Sequence, residues 1–138
     1  MQVKQLMTPN PITIGPERPA AEALKLMYQH DIRRLPVIEN RLLVGILSDR
    51  DIKQVLGRPA LSPRQTEDQL DLPVRELMTR NPITVPPDAE VKRAIELTIE
   101  HKISGLPVVD LEHRLVGILS EIDLLRYALD LIDRMESK

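Results

Sequence analysis

Two stretches of this chain place a hydroxyl and a carboxylate three residues apart at the end of an apolar run. The first is Gly45-Ile46-Leu47-Ser48-Asp49-Arg50-Asp51; the second is Gly117-Ile118-Leu119-Ser120-Glu121-Ile122-Asp123. Serine followed three residues later by an acid, just after a strand, is the pattern of a reciprocal helix cap. An acid in the first turn also suits the positive end of the helix dipole. The same geometry serves binding. A carboxylate fixed at a helix start beside a cleft accepts hydrogen bonds from both hydroxyls of a ribose. The serine hydroxyl and the first helix amides can meet a phosphate. The two roles are compatible, because the cap orients the carboxylate. Ser48, Asp51, Ser120 and Asp123 are the leading binding candidates.

Little else in the chain offers reactive chemistry. Cysteine is absent, which excludes disulfides, thiolate catalysis and cysteine-ligated metals. There is no G-x-S-x-G, no P-loop and no G-x-G-x-x-G. Asp49 and Asp51 are too close in sequence to face each other across a substrate. The expectation is a protein that is not an enzyme. His30 and His101 occupy matching helix ends, where a cation complements the dipole, and no H-x-x-x-H accompanies them. No metal site is expected.

The elements that must position these residues are written twice. Val3–Ile52 and Val74–Leu124 align with about twenty identities over about fifty positions. Each repeat opens on a short turn, Val3–Met7 or Val74–Met78, followed by Thr and Asn-Pro. A short strand comes next, Ile12-Thr13-Ile14 or Ile83-Thr84-Val85. Thr13 and Thr84 are ordinary strand formers as well as candidate polar contacts. An amphipathic helix follows, with Ala20, Ala23, Leu24 and Met27 on one face in the first repeat. Val91, Ala94, Ile95 and Thr98 repeat that spacing, and Asp88 is the expected N-cap of the second copy.

Two apolar strands, Leu35–Ile38 with Leu42–Leu47 and Leu106–Val109 with Leu115–Leu119, then lead into the second helix. Gly45 and Gly117, inside these strands, point to close backbone approach or a bulge. The unit is β-α-β-β-α. The boundaries are 1–58 for the first repeat, 59–73 for a linker broken near Pro59 and Pro63, and 74–138 for the second repeat. The last helix, about Glu121–Met135, has more apolar residues than one buried face needs. The excess predicts a contact with the other repeat, with a second subunit, or with both.

At 138 residues, two such units are each marginal alone and are expected to share a core. With 42% hydrophobic and 29% charged residues, the balance is that of an ordinary globule. Phe and Trp are absent and Tyr occurs twice, so any flat ligand must be gripped by aliphatic side chains and backbone. The net charge of −2 and the missing aromatics argue against nucleic acid as a partner. The charge is uneven: residues 1–69 carry 10 basic and 8 acidic side chains, residues 70–138 carry 9 and 13. The first repeat is the better place for an anionic group. No apolar run is long enough for a membrane span, and the opening MQVKQLMTPNP lacks a signal-peptide core. The expected location is cytoplasmic, with no membrane partner.

LMTxNPIT with Ile or Val, a helix, LPV with Ile or Val, and LVGILSxxD, twice in tandem, resemble a pair of CBS domains, often called a Bateman module. The resemblance covers roughly residues 3–56 and 74–130. It is similar to the regulatory parts of AMP-activated protein kinase, IMP dehydrogenase and some chloride and magnesium transporters. What it implies is an α+β fold, of the α/β-type CBS kind. Two tandem β-α-β-β-α repeats would pack sheet to sheet with pseudo-two-fold symmetry, commonly as a homodimer. It further implies a non-catalytic, energy-sensing regulatory module with clefts for AMP, ADP or ATP, with S-adenosylmethionine as the alternative ligand. No cofactor is required. The output goes to an unknown effector protein on another chain.

The resemblance places the ribose on Asp51 and Asp123, and the base and ribose near Thr13 and Thr84. Ile14 and Val85 are adenine walls or simply core. It puts a basic residue near the ligand's phosphates at Arg33 or Arg34. The matching positions of the second repeat are Ser104 and Gly105, so the cleft with Asp51 suits a phosphorylated ligand and that with Asp123 is electrostatically poorer. A ligand-free structural or oligomerisation module is the competing expectation.

Overall fold

The computed structural model describes residues 1–56 and 70–137; the breaks expected near Pro59 and Pro63 lie outside the described residues. The chain folds into two compact units, Ile12–Pro82 and Met1–Pro11 together with Ile83–Lys138. They are called below the Asp51 unit and the Asp123 unit. Both mix helices with one small antiparallel sheet, the α+β class expected from the sequence.

The elements in chain order are α1 (Val3–Leu6), β1 (Thr8–Pro9), α2 (Ala20–His30), β2 (Arg34–Glu39), β3 (Leu42–Ser48) and α3 (Asp49–Leu56). After a 3-10 turn at Val74–Glu76 come β4 (Thr79–Arg80), α4 (Val91–His101), β5 (Gly105–Val109), β6 (Leu115–Ser120) and α5 (Glu121–Glu136). The sheet of the Asp51 unit has the order β2-β3-β4, and that of the Asp123 unit β1-β6-β5. The third strand of each sheet therefore comes from the lead-in of the other sequence repeat. The expected strands at Ile12–Ile14 and Ile83–Val85 shrink to single bridges, Ile14 to Val37 and Val85 to Val108, both parallel.

The lead-ins are held by packing and by backbone bonds. Val74 is fully buried in the core of the Asp51 unit with Ala23, Leu35, Val37, Leu47 and Ile52. Val3 is fully buried among Val91, Ala94, Leu106, Val108 and Leu119 of the Asp123 unit. Fully burying such a side chain contributes about 1.5–3 kcal/mol. Ala20 N donates to Leu72 O at 2.9 Å, and Val91 N to Met1 O at 3.0 Å. The first amides of α2 and α4 thus find backbone acceptors. This corrects the expectation for Asp88: α4 starts at Val91, its N-cap is Glu90, and no side chain caps it. A carbonyl from the lead-in satisfies an amide that a capping side chain would otherwise serve.

The amphipathic faces are as expected, with Ala20, Ala23 and Met27 buried on α2 and Val91 and Ala94 on α4. Leu97, not singled out from the sequence, joins the α4 face. The strand glycines mark close approach. A Cβ on Gly45 would lie 2.9 Å from Thr79 O and against the Met78 side chain. One on Gly117 would lie 3.0 Å from Thr8 O and against Met7. The β2–β3 hairpin closes with Asn40 and Arg41, both at positive φ, as a two-residue type I′ turn requires. The β5–β6 loop is longer and takes the one inserted residue of the second repeat. There Asp110 Oδ1 accepts from the amides of Glu112 and Arg114, both at 2.9 Å.

Candidate functional site

Each unit builds the same corner from three elements. In the Asp51 unit, β3 ends at Ser48 and α3 begins at Asp49. Asp51 N donates to Ser48 Oγ at 3.1 Å, and Ser48 N donates to Asp51 Oδ2 at 2.9 Å. The Asp123 unit repeats this pair at Ser120 and Asp123, with the same 2.9 and 3.1 Å separations. The reciprocal cap read from Ser-x-x-Asp is therefore present twice. It engages Oδ2 of each carboxylate and leaves Oδ1 outside the cap. A carboxylate has about four lone-pair sites, so acceptor capacity remains. Both corners are part-buried, which restricts the side chain without removing it from solvent.

The start of the second element lies alongside. Arg34 is paired with Ser48 across β2 and β3, and Asp49 N donates to Arg33 O at 2.9 Å. In the Asp123 unit, Gly105 is paired with Ser120, and Glu121 N donates to Ser104 O at 3.0 Å. The two backbones match position for position; the side chains do not. Arg33 is exposed and Arg34 half-buried.

The third element is the bridging residue and its neighbour. Ile14 N donates to Pro36 O at 3.1 Å, and Ile38 N to Ile14 O at 3.0 Å. Val85 is tied likewise to Pro107 and Val109, at 3.2 and 3.1 Å. Ile14 and Val85 are buried in their unit cores. Thr13 and Thr84 precede them, half-buried. The structure thus brings Arg33, Arg34, Ser48 and Asp51 to one corner, with Thr13 one strand away, and Ser120, Asp123 and Thr84 to the matching places. The backbone ties from residues 33 and 104 to the helix start have no sequence signature.

Among the described residues, no group of three or more His, Asp or Glu is placed to hold a metal ion. Among them, too, no helix is long and apolar enough to cross a membrane.

The pattern of the CBS domain matches residues 3–58 and again 74–130. The chain belongs to the CBS domain family. It carries two copies in tandem, as the repeat implied. A CBS domain-containing protein of Dictyostelium discoideum is 37% identical over 128 residues, spanning 89% of this chain and 88% of that protein. The chain covers 48% of one Methanocaldococcus jannaschii relative and 21% of the IMP dehydrogenase from that archaeon. Among solved structures, CBSX2 in complex with AMP superposes with a TM-score of 0.79 at 31% identity, covering 94% of this chain and 97% of that one. The CBS domain pair of protein MJ0100, in complex with 5′-methylthioadenosine and S-adenosylmethionine, gives 0.80 at 32% identity over 92% and 94%.

Proposed function

We propose that this CBS pair is a non-catalytic regulatory module that binds adenosine-containing ligands, among them AMP, ADP or ATP, at the corners holding Asp51 and Asp123. The observation that carries the reading is the capped carboxylate. Asp51 and Asp123 are fixed by a serine amide on Oδ2 while Oδ1 stays outside the cap. An oriented acceptor of this kind suits the adjacent hydroxyls of a ribose. Two structural relatives in complex with adenosyl compounds support the same ligand class. Ser48 and Ser120 complete the helix start, Thr13 and Thr84 face the base and ribose, and Ile14 and Val85 back them from the core. Arg33 and Arg34 meet the phosphates.

A bound nucleotide regulates only through its differential affinity for two states of the protein. The reader of those states is an effector on another chain, and the module works as a homodimer. The direct test is calorimetric titration with AMP, ADP, ATP and S-adenosylmethionine. Micromolar binding of at least one is expected; no heat from any of them overturns the reading. Absorbance offers a simpler check. With two Tyr and no Trp, the protein absorbs weakly at 280 nm, and a co-purified adenine dominates at 260 nm.

A second reading, an oligomerisation module without ligand, is favoured by one observation. On α5, Ile122, Leu125, Leu129, Ile132 and Met135 are 49–75% exposed. Failure of every adenosyl compound to bind, with a stable dimer in sedimentation, would select it.

A further inference from the structure

The two corners share one backbone and differ in charge. Residues 33 and 104 make the same bond to the helix start, at 2.9 and 3.0 Å, and residues 34 and 105 sit opposite the capping serines in the same register. Around Ser48, that frame carries Arg33, Arg34 and Arg50 against Asp49 and Asp51. Around Ser120 the three arginines become Ser104, Gly105 and Ile122, while both acids are kept as Glu121 and Asp123. At these five matched positions the first corner carries three bases against two acids, and the second two acids and no base.

A 5′-phosphate carries up to two negative charges, and arginine's forked guanidinium matches its oxygens. Placed beside Glu121 and Asp123 without such a partner, it meets like charge instead. Ribose recognition survives in both corners, because it needs only the capped carboxylate. We propose that the Asp123 unit selects an adenosine derivative with no 5′-phosphate, neutral or cationic at that position, while the Asp51 unit selects the phosphorylated nucleotide. This rests on the ribose reading above. The chain then reports on two adenosyl pools at once, one phosphorylated and one not.

The test is calorimetry with adenosine and AMP on the full chain and three variants. Asp51→Asn keeps an oxygen for the cap and leaves the Asp123 corner as the main site; adenosine should there bind at least tenfold tighter than AMP. Asp123→Asn should leave a site with the reverse preference. The decisive variant is Ser104→Arg/Gly105→Arg, which touches neither cap. No glycine in the described chain has positive φ, so an arginine at 105 is free of backbone strain. It should strengthen AMP binding at the Asp123 corner by about tenfold and leave adenosine unchanged. AMP bound as tightly as adenosine in Asp51→Asn, or no gain for AMP in the arginine variant, overturns the assignment of classes. AMP binding without adenosine binding in the unaltered chain overturns this inference alone; absence of both overturns the ribose reading, and this inference with it.

Discussion

Asp51 and Asp123 each hold a helix start with one oxygen, and the other is the proposed ribose acceptor, so a substitution there reads out in two measurements. Asp51→Ala removes the carboxylate half of the cap, the bond from Ser48 N to Oδ2, and the proposed ribose acceptor together, while the bond from the residue-51 amide to Ser48 Oγ stays. Thermal unfolding should show a loss of about 0.5–1.5 kcal/mol, the net worth of one hydrogen bond. AMP affinity should fall by about 1.5–3 kcal/mol, the range for hydrogen bonds to a charged group. A drop in stability with unchanged AMP affinity would leave Asp51 a cap alone.

Asp110 makes a separate case. The Arg114 amide, first among several donors, holds its carboxyl below the usual range. A depressed carboxylate adds stability above its unfolded pKa and loses it as pH falls through the lower folded value. Asp110→Ala should therefore destabilise the chain at pH 7, and the difference from the unaltered protein should fade below about pH 4. A gap constant from pH 7 to pH 2 would contradict this. Ser-x-x-Asp was legible at this scale because a cap is local. The backbone cap on α4 was not, because its acceptor is Met1, ninety residues upstream of Val91.

At the scale of elements, the two strand glycines decide whether the lead-ins can seat. Gly45→Ala should cost about 1–3 kcal/mol, the usual range for overpacking. The nearest fixed atom is a carbonyl, Thr79 O, at 2.9 Å from the new methyl group. Adding Met78→Ala to Gly45→Ala should not restore stability, since the flexible side chain is only half of the obstruction. Full recovery in urea unfolding would assign the clash to Met78. The glycines were legible as points of close approach; what approaches them was not. Thr8–Pro9 and Thr79–Arg80 are two-residue strands, too short for any alternation to show. The runs Ile12–Ile14 and Ile83–Val85 look more strand-like than they are, because burial of Ile14 and Val85 imposes the same β-branched residues as a ladder would. The helices α2 and α4 were plain from their spacing, and their ends are marked by His30 and His101.

For the whole molecule, four of the exposed apolar residues of α5, Ile122, Leu125, Leu129 and Ile132, are spaced in alternating steps of three and four. That spacing is the seam of a helix pair. The proposed homodimer uses it, so Leu125→Ser/Leu129→Ser should convert a sedimenting dimer to a monomer at micromolar concentration. Leu124 is the buried residue of α5 and is untouched, so the fold should survive with an unchanged far-ultraviolet spectrum. A variant that sediments like the unaltered chain would remove α5 from the interface. The excess of apolar residues was legible as an excess. Which of them are spent inside the unit required the structure, because the apolar arc is continuous around Leu124.

Because β4 completes the sheet of β2 and β3, and β1 that of β5 and β6, neither repeat owns a finished sheet. A gene encoding one copy alone would make a protein with a vacancy on one edge and a spare strand at its start. Two such molecules could cure each other by trading those strands. Duplication and fusion would then have turned a swapped pair into a single chain, and expressing either half today should restore the pair.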